Sequence, residues 1–435
     1  MHLPLNRKQF RDALEKGLGR AVLHARRYGL LGMETEIKRG MRRHLGYDPQ
    51  LEDGHGKLLW EVVQAAKSEK KFRGDLLKAM RDTKEHYVLR QLCELAEGYA
   101  AAGDAEIKAE LYRCFEKGLD RDDVDAEEEI LAIDGLDGFL RLAKSIGVRA
   151  RAATSMPDYA AQVVFYAAKE IFGSSRVRNS LRQVDPDLAA YRSVLKREES
   201  RRSIKTPKRL TWRALKRQLE RLIDRNQPEI YGVARRFGKQ ASRGELSKAF
   251  EYLLAQDDPR RLRSVLGVFD VATIPCYDPK FYGLAHSGDR RLRIRAIGAL
   301  ARLKHPEVRR LALTSLNSRR LLMSHSLGLF RNNYQDKDGA AILRALSGGW
   351  TKENAHGAVF ELPDIAGERP AKSLIPALMK GYELTPCSHC RASIFRRLRT
   401  VKMAPGWMMR ECLFDSNKDI RTLAAKSRTD YRRNA

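Results

Sequence analysis

Several features are scarce in this 435-residue sequence, and each of them excludes some classes of protein. Six cysteines in a chain of this length do not form a disulfide framework, which fits a reducing compartment. No stretch approaches the roughly 18 consecutive apolar residues of a membrane-spanning helix, and the N-terminus lacks the apolar segment of a secretory signal. We therefore expect a cytoplasmic protein that neither crosses nor binds a membrane.

Signals for β-strands and for catalytic motifs are also scarce. No Asn-Gly or Asp-Gly turn separates alternating apolar runs. Phosphate-binding glycine loops, the dinucleotide fingerprint, the His-Glu-x-x-His motif and the nucleophile elbow do not occur. Apolar residues instead recur at helical spacing almost from end to end, and prolines follow Asp or His where a helix would begin, as at Asp185-Pro186, Asp258-Pro259 and His305-Pro306. The sequence predicts an all-α fold.

One short signature returns through the second half of the chain. It consists of an apolar residue followed by Arg, with a second apolar residue four positions after the first. Its copies are Leu262-Arg263 with Leu266, Leu292-Arg293 with Ala296, Val308-Arg309 with Ala312, Cys390-Arg391 with Ile394, and Ile420-Arg421 with Ala424. Two intervals between copies are 30 residues, a period typical of stacked helical hairpins that bury their apolar faces against neighbours.

These copies resemble the second helix of HEAT repeats, whose pattern is Asp-Pro-x-Val-Arg followed by spaced alanines and leucines. The matching segments begin at Asp289, His305 and Asn417, and the resemblance covers about residues 250–320 and 385–430. It implies a right-handed α-solenoid of HEAT-like helical hairpins, preceded by an N-terminal helical region. It also implies that the signature arginines are structural, each bonding to an acidic residue of a neighbouring repeat: Arg263, Arg293, Arg309, Arg391 and Arg421.

Positive charge is concentrated in the part of the chain that carries the signature. Residues 1–200 hold 35 Lys and Arg against 33 Asp and Glu, whereas residues 201–435 hold 48 against 22. On this basis we expect a near-neutral helical domain at 1–173, a basic linker at 174–209 and a basic HEAT-like repeat domain at 210–435. An asymmetry of this size favours nucleic acid as the partner.

Because the signature arginines are expected to be structural, the candidates for nucleic-acid contact are the surplus basic residues. Eleven of them fall between Arg192 and Arg217, and others share a helix face in the first repeats. The predicted nucleic-acid-binding residues are Arg197, Arg201, Arg202, Lys205, Lys208, Arg209, Arg213, Lys216, Arg217, Arg291, Arg295 and Arg302. Such a row can track phosphates without reading the base sequence.

Three alternatives remain open from the sequence. The arginines can be an ordinary solvated helical surface. The repeats can form a non-catalytic scaffold that binds a partner's helix or acidic segment. An enzymatic function is the third possibility, since some alkylpurine DNA glycosylases are built of HEAT-like repeats in which tryptophans and a carboxylate line a basic face. This chain holds Trp60, Trp212, Trp350 and Trp407 but departs from that family's motif, so the enzymatic interpretation stays behind the other two.

The segment Cys387-Ser-His389-Cys390 is the one cysteine–histidine cluster in the sequence. A structural zinc site normally needs four ligands, and the nearest further candidates, His356 and Cys412, have no companion at ligand spacing. Cys390 also occupies the apolar slot of the repeated signature, which is sufficient reason for it to be buried. We therefore expect no metal, no cofactor and no catalytic residue.

Overall fold

A computed structural model describes residues 4–121, 124–152, 158–202, 209–224, 229–317, 326–367 and 370–433, without the side chains of 198–202, 222–224 and 427–433. Within these ranges the chain is helical and contains no strand, so the predicted all-α fold is confirmed. None of the described helices is at once long and apolar enough to cross a membrane.

The first helices in chain order are α1 (Arg7–Glu15), α2 (Arg20–Tyr28), α3 (Glu34–Gly40), α4 (His55–Ala65), α5 (Glu69–Asp82), α6 (His86–Ala101), α7 (Ala105–Leu119), α8 (Glu127–Ala152), α9 (Asp158–Phe172), α10 (Ser174–Ser180) and α11 (Pro186–Arg202). They are followed by α12 (Trp212–Asp224), α13 (Tyr231–Gly238), α14 (Arg243–Leu254), α15 (Pro259–Phe269), α16 (Lys280–Ala285), α17 (Arg290–Leu300) and α18 (Pro306–Asn317). The last are α19 (Gly339–Leu346), α20 (Lys352–Phe360), α21 (Leu362–Ala366), α22 (Ile375–Leu384), α23 (Ser388–Thr400), α24 (Gly406–Cys412) and α25 (Lys418–Arg433). Short 3-10 helices lie at Ser326–Phe330, Asp336–Asp338 and Lys372–Leu374.

Several helices begin where the sequence supplies an acidic cap followed by proline. The Asp258 carboxylate accepts a hydrogen bond from the backbone N–H of Arg261 at 2.8 Å, and Pro259 takes the first position of α15. Asp185 likewise accepts two backbone N–H groups, at 2.9 and 3.0 Å, and α11 begins at Pro186. Since proline has no N–H to lose in the first turn, these starts follow directly from the local sequence.

The repeated apolar–Arg signature lies in helices, and its apolar residues face packed interiors. The first apolar residue of each copy is at most 6% exposed at Leu262, Leu292, Val308, Cys390 and Ile420. The second apolar residues are buried as well. The predicted core positions are therefore confirmed.

The chain forms two compact units. Unit 1 comprises Met1–Lys205 together with Pro405–Ala435, and unit 2 comprises Thr206–Ala404. In unit 1, α4 packs on α2 and α6, and α8 packs on α9 and α11. In unit 2, α15 packs on α13 and α17, and α22 packs on α19 and α23.

Ion pairs between residues about 30 positions apart recur in both units. Their sequence separations run from 29 to 34 in the pairs Arg73–Asp104, Arg81–Glu110, Arg149–Glu116, Arg263–Glu229, Arg309–Asp338 and Arg331–Glu361. Several of them skip a helix: Arg73 and Arg81 lie in α5, whereas Asp104 caps α7 and Glu110 lies within it. The apolar–Arg signature does not predict this separation in the first 200 residues, although the ion pairs there are as regular as in the later part of the chain.

The division into units differs from the predicted domains at two places. The expected linker at 174–209 contains α10 and α11, and α11 packs on α8 with Leu188 and Tyr191 fully buried. Residues 405–433, expected in the basic repeat domain, pack instead on the N-terminal helices. The backbone N–H of Ser416 donates to the carbonyl of Gly17 at 2.8 Å, and Arg20 Nε lies 2.8 Å from a carboxylate oxygen of the fully buried Glu411. A helical pattern specifies an apolar face, but not which distant segment covers it.

Candidate nucleic-acid interface and cysteine–histidine cluster

Arg263, from the first copy of the signature, is enclosed by carboxylates of unit 2. Its Nε lies 2.6 Å from Glu229 Oε1, its Nη1 also bonds to Asp289, and its side chain is only 15% exposed. Burial opposes ionisation of Glu229, yet hydrogen bonds from Arg263 and Arg295 hold its pKa below the usual value. The cation therefore belongs to the interior contacts between helices and is not available to a ligand.

The other signature arginines are also used within the fold. Arg309 bonds to Asp338, whose side chain is 2% exposed, and Arg391 is completely buried. Arg293 donates to the Ser287 carbonyl at 2.6 Å, and Arg421 donates to the Ser416 carbonyl at 2.7 Å. An acidic partner is therefore seen for Arg263 and Arg309, while Arg293 and Arg421 bond to backbone carbonyl groups instead.

The side chains of Arg291, Arg295 and Arg302 are not all exposed, so they do not form the row that was predicted to follow phosphate groups. Arg291 is exposed, but Arg295 Nη1 lies 2.8 Å from Glu229 and 2.7 Å from the Arg263 carbonyl. Arg302 Nε donates to the carbonyl of Asp270 at 2.9 Å. Helical spacing places these residues on one face, but that face packs against the preceding helices, so two of the three are structural.

Of the candidates in the 192–217 cluster outside α12, two form ion pairs. Arg197 Nη2 lies 2.6 Å from Asp158 in unit 1, and Arg209 Nη2 lies 2.9 Å from Glu245 in unit 2. The side chains of Arg201 and Arg202, and the whole of Lys205 and Lys208, lie outside the described residues.

The helix α12 is anchored on unit 2 by its first residue. The Trp212 ring lies 6.0 Å from the Phe237 ring and 5.6 Å from the Tyr252 ring, measured between centroids. Further along the helix Leu215 and Leu219 are fully buried. One side of α12 is thus packed against α13, α14 and α15, which fixes the direction of the opposite side.

The exposed side of α12 is strongly basic and carries the predicted candidates Arg213, Lys216 and Arg217, together with Arg221. Arg213, Arg217 and Arg221 follow one another at steps of four residues, about 6 Å apart along the helix axis. Within the described part of the chain no ion pair or hydrogen bond engages these three guanidinium groups, whereas Lys216 pairs weakly with Glu220 at 3.7 Å. Arg221 was not among the residues predicted from the sequence, although its spacing of four residues from Arg217 places it on the same side of the helix.

A cavity of about 390 Å³ lies in unit 1. Its lining includes Trp60 and the carboxylates of Glu61, Glu94 and Glu97, with Lys57 Nζ 3.1 Å from Glu97. Burial raises the pKa of both Glu61 and Glu94. Glu94 is also held in place by the backbone N–H groups of residues 54 and 56, at 2.7 and 2.8 Å. An aromatic ring and carboxylates therefore converge here, in a part of the chain for which no site was expected.

The structure brings His356 to the two cysteines at 387 and 390. One candidate ligand atom from each residue lies within 4.8 Å of the others, and Cys390 Sγ is 3.7 Å from His356 Nδ1. Both thiols are buried, while the neighbouring His389 is exposed. Cys412, the other candidate considered, belongs to unit 1 and is not part of this group. His356 has no companion at short ligand spacing in the sequence, and the two residues that approach it in the structure lie 31 and 34 residues further along the chain.

No protein-family model matches this sequence, and a search of curated proteins finds no similar chain.

Proposed function

We propose that the chain is a non-catalytic helical-repeat protein that binds a nucleic-acid backbone through the exposed basic side of α12. In this proposal its helices form a right-handed, HEAT-like α-solenoid, an interpretation supported by ion pairs in both units that join residues about 30 positions apart. Unit 2 holds 38 Lys and Arg against 18 Asp and Glu, so the positive excess lies mostly in the unit that contains α12.

The row of Arg213, Arg217 and Arg221 carries the proposal. Arginines that point to solvent at regular steps can each approach a phosphate group, and the bound strand then releases the counterions that covered it. Arg295 and four of the signature arginines are excluded from this role because they already bond to carboxylates or carbonyl groups, and the fifth, Arg391, is excluded because it is completely buried. The proposed contact is therefore narrow, and it involves the backbone without reading bases.

A charge-reversal variant tests the row. Changing Arg213, Arg217 and Arg221 together to Glu should weaken binding of a fluorescent duplex or single strand, measured by anisotropy at about 50 mM salt, by at least about tenfold. A matched control changes three exposed basic residues elsewhere in unit 2 to Glu: Lys337, Arg344 and Lys372. The control changes the net charge by the same amount but leaves the α12 row intact, so it should lower the affinity much less.

The salt dependence separates local contact from general attraction. If three phosphates are neutralised at α12, the slope of log affinity against log salt should fall in magnitude by about 2 to 3 in the α12 variant. The control variant should keep the slope of the natural chain. Undetectable binding at about 50 mM salt, or equal losses in the two variants, would refute the proposal.

An acidic protein segment would satisfy the same arginines, which is the scaffold alternative. Copurification with and without nuclease distinguishes the two partners, because a protein that remains bound after digestion is not bridged by nucleic acid. Loss of all copurified material after nuclease supports the nucleic-acid proposal, and a retained protein that depends on Arg213, Arg217 and Arg221 favours the scaffold.

The cavity of unit 1 supports a second candidate function, excision of an alkylated base. A glycosylase needs an aromatic surface for the extruded base and a carboxylate beside the glycosidic bond, and Trp60 with Glu61 offers both groups. The test is release of labelled alkylpurine from duplex DNA by the full chain. Activity that disappears in Glu61→Gln and in Trp60→Ala would support this function, and absence of release by the natural chain would exclude it.

A further inference from the structure

We propose that His356, Cys387 and Cys390 bind a zinc ion that joins α20 to α23 inside unit 2. The three residues come from two helices that pack on each other, since His356 lies on α20 while both cysteines lie at the start of α23. The zinc site is independent of the proposed nucleic-acid contact, because the two involve different residues.

The positions of the donor atoms fit one tetrahedral ion. Zinc binds cysteine sulfur at about 2.3 Å and histidine nitrogen at about 2.0–2.1 Å, so two such ligands of one tetrahedron lie about 3.6 Å apart. The observed separation of Cys390 Sγ and His356 Nδ1 is 3.7 Å. All three donor atoms fall within 4.8 Å of one another, so small rotations of the side chains bring them to a common centre.

The local backbone explains why two thiols meet there. Cys387 is the N-cap of α23 and Cys390 is the third residue of the helix, so the first turn places both side chains on one side. Two thiolates and one ion of charge +2 then form a nearly neutral group, which suits the buried surroundings of both sulfurs.

The ligand set selects the metal. Two thiolates with one imidazole favour zinc over magnesium or calcium, which prefer oxygen ligands. Three protein ligands leave the fourth tetrahedral position to a water molecule. The ion links a helix at residues 352–360 to one at residues 388–400, and its fourth, water-held position distinguishes the site from a structural site closed by four protein ligands.

The experiment uses the full chain, purified and kept under reducing conditions. Zinc content is measured by mass spectrometry, and the metal is then removed with a chelator and replaced by Co²⁺. We expect one zinc per chain and, after Co²⁺ addition, the intense absorption of cobalt–thiolate charge transfer with the visible bands of a tetrahedral ion. The variants Cys387→Ser, Cys390→Ser and His356→Gln should lose or alter these bands, whereas Cys276→Ser, at an exposed cysteine of the same unit, should keep them.

The test remains decisive even if a ligand variant fails to fold, because Co²⁺ binding by the natural chain gives a result of its own. If the fully reduced chain takes up no Co²⁺ with a thiolate signature, the proposal is overturned and a hydrogen bond between Cys390 and His356 accounts for their contact. If cobalt–thiolate bands appear but persist in both Cys387→Ser and Cys390→Ser, the metal is bound elsewhere and the proposal is equally overturned.

Discussion

Replacing Arg263 by Met tests whether the repeated arginine stabilises the contacts between helices. The substitution keeps most of the apolar stem but removes the guanidinium that bonds to Glu229 and Asp289. Neither carboxylate is left isolated, because Glu229 retains Arg295 at 2.8 Å and Asp289 still caps α17. The loss is therefore two charge-assisted hydrogen bonds in a partly buried setting, about 2 kcal/mol, below the 3–5 kcal/mol typical of breaking a fully buried pair.

Hydrogen exchange followed by mass spectrometry measures this loss locally, which matters because a chain of two units need not unfold in one step. A loss of about 2 kcal/mol should speed exchange in peptides covering α13, α15 and α17 by about 30-fold. The control is Arg291→Met, an exposed arginine near the start of α17, which should change stability by less than about 0.5 kcal/mol. If the two variants exchange alike, the assignment of Arg263 to a structural role is refuted.

Three further changes test other parts of the fold. Hydrogen bonds from Arg11 and a second arginine outweigh burial and lower the pKa of Glu36 to about 2. The ionised carboxylate therefore stabilises the fold at any pH above its ordinary pKa of 4.5, and this stabilisation is lost as the pH falls toward 2. Because both arginines are partly exposed, Glu36→Gln should lower the free energy of unfolding at pH 7 by about 1–2 kcal/mol, and in denaturant titrations the difference should shrink below pH 4.5. A Cβ on Gly147 would lie 2.0 Å from the Asp187 carbonyl oxygen, so Gly147→Ala should separate α8 from α11 and cost about 2 kcal/mol in thermal unfolding. Gly74→Ala, where no atom beyond the adjoining backbone of α5 lies within 4 Å of the added Cβ, should instead stabilise α5 by about 0.5–1 kcal/mol; equal melting temperatures for the two alanine variants would contradict the close approach.

The features predicted well from the sequence are those set by neighbours along the chain. Asp258 and Pro259 specify the start of α15 because capping and the missing proline N–H act within one turn. Apolar residues at helical spacing, such as Leu262 and Leu266, lie in the core as expected because one face of a helix must be buried. The basic side of α12 was also largely foreseen, since an exposed face can be deduced from the position of the buried one.

The features that were missed depend on pairs distant in sequence. Arg295 was expected to meet phosphate, but its partner Glu229 lies 66 residues earlier, and no local pattern connects them. His356 was set aside because it stands far from Cys387 in the sequence, although helix packing places the two together. Spacing within one helix predicts which side chains share a face, but not which other helix covers that face.

The return of residues 405–433 to unit 1 has a consequence for how this protein is made. Glu411 and Ser416 cover Arg20 and Gly17, which leave the ribosome almost 400 residues earlier. Between them the ribosome must add about 390 residues, including all of unit 2, which takes roughly 20 to 80 s at typical rates of synthesis. During that interval the surface of the N-terminal helices that residues 405–433 later contact stays uncovered. The finished protein thus depends on an early segment remaining soluble while it waits for a late one, and chaperones that shield apolar surface are best placed to protect it during this time.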